Sequence, residues 1–422
     1  MNNKTIGNIF KGDKVIWMVF FFLCIISIIE VYSASSSLSY KSGNYMAPVI
    51  RHFFILCMGV FAMICMLKVK CKYFKFLTPF LLVGSFIMLI WVLIAGSSTN
   101  DAQRWINFIG IQFQPSEIAK GTMVLAVAQI LSAMQTENGA DKRAFKYVLI
   151  ICAFIIPLIG FENLSTAMLL CITILCMMII GRVPMKQIGR LIGVVMLLIM
   201  LAFTTIMVIG KDNADKVPKS SLTETTEKTE ESSSITKLFH RADTWKSRID
   251  KFMDNKPVAP EDIDLDKDAQ VAHANIAIAS SNVVGKGPGN SVERDFLSQA
   301  FSDFIYAIII EEMGIGGAFF VAFLYIILLF RAGRIANRCE NTFPAFLAMG
   351  LAILLVVQAL FNMLVAVGLA PVTGQPLPLI SRGGTSTIIN CIYVGIILSI
   401  SRTAKKKMGP IEEINAAKTA IA

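Results

Sequence analysis

The chain has 422 residues, of which 55% are hydrophobic and 16% charged, and its formal net charge is +10. A soluble chain carries about 25% charge, and no folded core of this length hides so much apolar surface, so the excess faces lipid. A cytosolic enzyme, a disordered chain and a nucleic-acid binder are excluded, and the basic excess reads instead as a signal of membrane topology.

A helix needs about 20 mostly apolar residues to cross ~30 Å of hydrocarbon. Ten stretches reach or approach that length: 15–33, 53–67, 77–95, 117–134, 147–160, 164–181, 190–210, 303–330, 344–367 and 386–401. The sequence Phe161-Glu162-Asn163 fits a tight polar turn between two short helices better than the middle of one long helix. Lys and Arg in the short loops alternate through all ten spans, 20 on one side against 4 on the other, which makes both termini cytoplasmic. The first apolar run lacks a small-residue cleavage site and is read as a span, not a removed signal.

The expected class is therefore an all-α polytopic membrane protein. It has a cytoplasmic tail over 1–14, spans one to seven over 15–210, a large extracytoplasmic loop over 211–302, spans eight to ten over 303–401, and a second cytoplasmic tail over 402–422. The large loop carries 13 Lys and Arg against 16 Asp and Glu, so the basic excess belongs to the membrane portion. Residues 219–237 are polar, low in complexity and expected to be disordered. Leu238, Trp245, Ile249 and Phe252 recur at helical spacing and suggest a short helix at the membrane surface. A second short helix is expected over 269–282, before the turn Gly285-Lys286-Gly287-Pro288-Gly289. Seven of the nine cysteines fall inside apolar runs, while Cys71 and Cys339 sit beside basic clusters. None lies in the large loop, and no disulfide or metal framework is implied.

Polar groups at membrane depth are costly, and three clusters of them stand out. Asp303 opens the eighth span in Ser302-Asp303-Phe304-Ile305-Tyr306-Ala307. There it is either a helix cap stabilised by the dipole, a catalytic carboxylate, or both. Arg104-Trp105 and Gln114-Pro115-Ser116-Glu117 with Lys120 lie at the outer mouth of the fourth span. Glu117 and Lys120, three apart, read first as a structural ion pair, whereas Arg104 beside Trp105 suits a diphosphate or a sugar. The last outer loop runs Pro371-Val372-Thr373-Gly374-Gln375-Pro376-Leu377-Pro378 and then Ser381-Arg382-Gly383-Gly384. Its prolines and glycines enforce a non-helical path, tolerated at membrane depth where it lines a wet cavity. The glycine turn lacks a GKS/GKT ending, and the three histidines show no zinc spacing.

In this order these motifs resemble the FtsW/RodA/SpoVE (SEDS) family of bacterial cell-wall polymerases, over nearly the whole chain. The segments that carry the resemblance are Arg104-Trp105-Ile106, Gln114-Pro115-Ser116-Glu117 with Lys120, and Gly285 to Ser291. They continue with Ser302 to Ala307 running into Glu311-Glu312-Met313-Gly314, and close with Pro371 to Pro378 with Ser381, Gly383 and Gly384. The resemblance implies a glycosyltransferase that polymerises lipid II outside the cytoplasmic membrane, with Asp303 in the position of the family's essential aspartate. It also implies a class B penicillin-binding protein as transpeptidase partner, other divisome proteins and membrane lipids as surroundings, a divalent cation (Mg2+ or Mn2+), no organic cofactor and no nucleic acid. Tyr32-Ser33-Ala34-Ser35 at the end of the first span, with the overall pattern, points to the division branch; an elongation-type polymerase is the alternative within the family.

Three departures stand against the family pattern. Phe161-Glu162-Asn163-Leu164-Ser165-Thr166 occupies the place of a QPDxGT motif, with Asn163 for its aspartate. Arg382 replaces a tyrosine, and 219–237 reads as an insertion.

Sugar transfer from a polyprenyl diphosphate needs a base for the attacking hydroxyl and positive charge for the departing diphosphate. Asp303 is the candidate base, or the holder of the cation; Arg104, Lys120, Lys286 and Arg382 are candidates for the diphosphate. Trp105, Glu117, Ser291, Thr373, Pro376, Ser381 and Gly383 complete the expected substrate contacts. A lipid II flippase would use the same charges but tolerate loss of Asp303. A scaffold for the transpeptidase would keep all function without it.

Overall fold

The computed structural model describes residues 11–35, 47–95, 97–99, 102–108, 111–209, 269–297 and 302–404. The expected disordered stretch 219–237 and the surface helix around 238–252 lie outside these residues. The helices are α1 (Lys14–Ser35), α2 (Ala47–Lys68), α3 (Cys71–Ala95), α4 (Pro115–Ala133), α5 (Lys142–Glu162), α6 (Leu164–Ile180), α7 (Met185–Ile209), α8 (Ala269–Ser280), α9 (Ile305–Ala336), α10 (Thr342–Ala366) and α11 (Thr385–Thr403). All but α8 fall on the ten apolar runs, and α8 falls on the short helix expected over 269–282. Among the described residues, seven helices (α1, α2, α3, α5, α9, α10 and α11) are long and apolar enough to cross a membrane, and α6 is a shorter apolar helix of 17 residues. The chain is thus a polytopic, mostly helical membrane protein.

It divides into two units, one holding α7 from Lys186 onward with residues 370–372, the other holding all remaining described elements. Within the smaller unit, α7 exposes Ile192, Val194, Leu197 and Met200, a surface suited to lipid. In the larger unit α10 is central and packs on α9, α4, α6 and α11, while α2 pairs with α11. Burial follows this order: 67% of the apolar window of α10 is inside the protein against 22% for α2, α3 and α5. The outer helices keep their apolar side chains for lipid, and the centre buries them against protein.

Three local features shape the site. Asn163 is extended (φ −156°, ψ 104°) between α5 and α6, and its Oδ1 accepts from Ser165 N at 3.1 Å. The side chain caps α6 and confirms two helices broken by a polar turn. The second feature departs from the all-α expectation. Between α3 and α4 runs a three-stranded antiparallel sheet of β1 (Ser97–Thr99), β2 (Ala102–Phe108) and β3 (Ile111–Phe113), with Trp105 opposite Ser97 and Ile106 opposite Phe113. Trp105, Ile106, Phe108, Ile111 and Phe113 supply the aromatic and β-branched content that favours strands. A second hairpin, β4 (Gln135–Thr136) with β5 (Gly139–Ala140), follows α4.

The third feature is a break inside α9, which had been expected to run as one helix. Gly314 takes φ 69° and ψ −174° there. A Cβ on Gly314 would stand 2.3 Å from Val283 O, and one on Gly285 (φ 78°) 2.3 Å from Glu312 O. The two backbones cross at a distance only glycine permits. Carbonyls freed by the break find donors in the crossing turn: Lys286 N bonds Glu311 O at 2.9 Å and Gly287 N bonds Glu312 O at 2.8 Å.

At the end of the bundle that carries the basic loops, Asp13 accepts from Val15 N (2.9 Å) and Ile16 N (3.2 Å) and so caps α1. Its carboxylate also pairs with Arg331 of α9, and its N–H donates to Ser401 Oγ of α11 at 2.9 Å.

Candidate functional site

A cavity of about 400 Å³ opens in the larger unit. Its lining comes from the start of α2 (Arg51, Ile55, Met58), from β2 (Trp105), from the mouth of α4 (Gln114, Glu117), from Asn163, from Ser302, and from the last loop into α11 (Gly374, Gln375, Pro376, Arg382 to Ser386 and Ile388). These segments are far apart in the chain, and the fold closes them on one space at the ends of the helices opposite the basic loops.

Asp303 lies in the turn before α9 and not on the helix. The helix opens at Ile305 with Phe304 in the cap position and no side-chain cap bond, so the expected capping by Ser302 or Asp303 does not occur. The aspartate is held from both ends instead. Ser302 Oγ donates to Asp303 Oδ1 at 3.0 Å. Asn362 Nδ2 of α10 donates to Asp303 O and to Gln375 O, each at 2.8 Å. Ser381 Oγ donates to Ser302 O at 2.6 Å and accepts from Leu377 N at 2.7 Å. A Cβ on Gly374 would stand 3.5 Å from Asp303 Oδ2. The carboxylate therefore lies directly against the backbone of the last loop, beside cavity residues Ser302 and Gly374.

The other expected residues separate into two groups. Glu117, Trp105, Pro376, Arg382 and Gly383 line the cavity. Arg104 sits in β2 beside Trp105. Ser381 is buried one position before Arg382 and ties the loop to Ser302. Thr373 is buried next to Gly374, and its Oγ1 has no hydrogen-bond partner among the described residues. Lys120, by contrast, is fully buried. Its Nζ pairs with Glu117 Oε1 at 2.8 Å and donates to Gln358 Oε1 at 2.8 Å, which is the structural ion pair read from the spacing.

Lys286 and Ser291 are also placed away from the cavity. Lys286 Nζ pairs with Glu311 Oε1 at 2.6 Å and donates to Ser280 Oγ at 2.9 Å. Ser291 Oγ donates to Glu311 Oε2, and Gly289 N donates to Glu312 Oε2 at 3.0 Å. Glu311 and Glu312 are fully buried. The glycine turn thus neutralises and solvates a carboxylate pair inside α9, because a buried charge without partners is unaffordable there.

Three contributors escaped the sequence reading. Arg51 had been counted only as an outer-loop charge, yet it stands close enough to Arg382 that the two cations interact. Burial first, and the Arg51 guanidinium second, lower the Arg382 pKa from the usual arginine value. Two like charges facing one cavity favour an anionic ligand between them. Gln358 and Asn362 are each 1% exposed, four residues apart in the apolar α10, and share one helical face. That spacing of polar residues in a membrane run was the missed signal. Because Asn362 Nδ2 joins Asp303 O to Gln375 O of the last loop, Asn362→Leu is expected to cut the turnover of this site by roughly 10²-fold with little change in KM. Steady-state kinetics checks this; a change confined to KM would show that the asparagine does not position the carboxylate.

The FtsW/RodA/SpoVE family model, described as a cell cycle protein, matches residues 13–406. The chain is 27% identical over 401 residues to the peptidoglycan glycosyltransferase MrdB of Escherichia coli K12, covering 94% of this chain and 96% of that protein. It is 28% identical over 396 residues to a probable peptidoglycan glycosyltransferase FtsW of a Geobacter species (strain M18), covering 92% and 96%. Its fold is similar to a chain of a solved peptidoglycan synthase complex (20% identity, 93% of this chain and 99% of that one, TM-score 0.68). It is also similar in fold to the rod shape determining protein RodA of Thermus thermophilus (19% identity, 95% and 100%, TM-score 0.61). A match that runs through every membrane helix and every cavity segment places this chain in the FtsW/RodA/SpoVE family, whose curated members named here are peptidoglycan glycosyltransferases.

Proposed function

We propose that this chain polymerises lipid II into glycan strands at the outer face of the bacterial cytoplasmic membrane, with Asp303 as its catalytic carboxylate. The observation that carries this reading is the placement of Asp303, held by Ser302, Asn362 and Gly374 at the edge of a cavity lined by two arginines. The carboxylate takes the proton from the attacking sugar hydroxyl. Arg51 and Arg382 stabilise the charge that develops on the departing diphosphate. Among the described residues no group of three His, Cys, Asp or Glu side chains could hold a metal ion. The alternative role of this carboxylate is to hold a divalent cation together with substrate phosphate oxygens, where it would neutralise the leaving group.

The division role rests on Tyr32 to Ser35 closing α1 and on the overall motif pattern; curated relatives of both branches stand at similar identity. Its partners in that role are a class B penicillin-binding protein and other divisome proteins, and its place is the septum. The test is twofold. The purified chain, alone and with its cognate penicillin-binding protein, is given lipid II and Mg2+ or Mn2+, and glycan strands are detected by blotting; no strands under any condition refutes the activity and turns attention to a flipping assay. A fluorescent fusion in the native host then reports position: septal bands with filamentation on depletion support division, whereas lateral-wall signal with rounding of cells refutes it in favour of elongation.

A further inference from the structure

Glu117 and Gln375 both line the cavity, yet they are only 2% and 4% exposed. Each has one polar atom fixed by protein and one left over. Glu117 Oε1 is taken by Lys120 Nζ at 2.8 Å, and Oε2 has no hydrogen-bond partner among the described residues. Gln375 Nε2 donates to Thr166 Oγ1 at 2.8 Å, and its Oε1 likewise has none. With those ends fixed, each residue keeps one unpaired acceptor oxygen at the cavity wall. A buried acceptor without a donor is costly, and these two need a ligand or water that brings O–H or N–H groups.

We infer that Glu117 and Gln375 form an acceptor edge that binds the hydroxyl and amide donors of the sugar carried on the diphosphate. This rests on the glycosyl-transfer reading above and adds a direction to it. A phosphate offers only acceptor oxygens at neutral pH and is repelled by this edge. The two groups are also held by different neighbours. Arg51 stands on α2 and Arg382 in the last loop just before α11, whereas Glu117 belongs to α4, Gln375, farther back in that loop, is tied to Thr166 of α6, and Gln358 belongs to α10, which packs on both α4 and α6. Lys120 Nζ to Gln358 Oε1 (2.8 Å) and Gln358 Nε2 to Pro376 O (3.1 Å) bind this second group into one wall. The cavity therefore sorts its ligand: diphosphate toward the arginines, sugar toward the acceptors. Asp303, tied to Gln375 through Asn362, stands where a sugar hydroxyl is needed.

The experiment compares three lipids of equal chain length: bare polyprenyl diphosphate, polyprenyl diphosphate bearing the disaccharide without peptide, and full lipid II. Binding to the purified full chain is followed by the fluorescence of Trp105 and the other tryptophans. Gln375→Met removes the acceptor while leaving the Glu117–Lys120 pair intact. Glu117→Gln is the second variant, because Lys120 holds the amide oxygen and turns the NH2 into the cavity as a donor. Wild type is expected to hold the disaccharide lipid more tightly than the bare one. Both variants are expected to weaken the two sugar-bearing lipids by roughly five- to tenfold, with the bare lipid unchanged. Equal weakening of all three lipids, no weakening at all, or a loss confined to full lipid II, which would assign the edge to the peptide, each overturns the inference. If wild type binds no sugar-bearing lipid and makes no glycan, it is the glycosyl-transfer reading that fails.

Discussion

Asp303→Asn is expected to lower glycan synthesis by roughly 10³-fold, within the range that removal of a positioned general base commonly costs. The substitution is nearly isosteric. Backbone bonds from Asn362 to residue 303 and from Ser381 to Ser302 are independent of the side chain, so the turn before α9 keeps its shape. The fit against Gly374 is also preserved. What disappears is the negative charge of the carboxylate and with it the capacity to accept a proton or hold a cation. Titration with Mg2+ or Mn2+ separates the two roles open to this carboxylate. A cation-holding role predicts that higher cation concentrations recover part of the lost rate, while a base role predicts no recovery. Retention of more than a tenth of wild-type activity by Asp303→Asn would remove it from the chemistry and revive the flippase and scaffold readings.

Lys286→Met is expected to act on stability instead. Glu311 is fully buried, and Lys286 supplies its only cation among the described residues, at 2.6 Å. Removing one partner of a buried pair costs about 3–5 kcal/mol; the amine is 29% exposed, which places this case near the lower end. A falling melting temperature in detergent, with a smaller loss in the double variant Lys286→Met/Glu311→Gln, is the expected result. An unchanged melting temperature together with a raised KM for lipid II would return Lys286 to the substrate-contacting role first read from its motif.

The contrast between these residues shows how far an amino-acid sequence carries. Hydropathy was enough to locate the ten apolar runs on which ten helices fall, seven of them long and apolar enough to cross a membrane among the described residues, because the choice between lipid, protein and water is made residue by residue. The break at Asn163 and the helix over Ala269–Ser280 were legible for the same reason, since caps and turns are local. So were the motifs that carry the family resemblance, Asp303 among them.

Pairing was another matter. Lys120, Lys286 and Arg382 look alike in a linear reading, as cations near the outer boundary. In the fold, Lys120 goes to Glu117 and Gln358, Lys286 to Glu311, and Arg382 alone of the three faces the cavity beside Arg51. Asp303, placed by sequence at a helix cap, stands in the turn before it, held by Asn362 from 59 positions away. Helices apolar on every side give little periodicity to say which face meets which neighbour, so tertiary packing alone assigns each buried charge its partner. Where partners are lacking among the described residues, as at Glu117 Oε2 and Gln375 Oε1, that same packing leaves acceptors at the cavity wall.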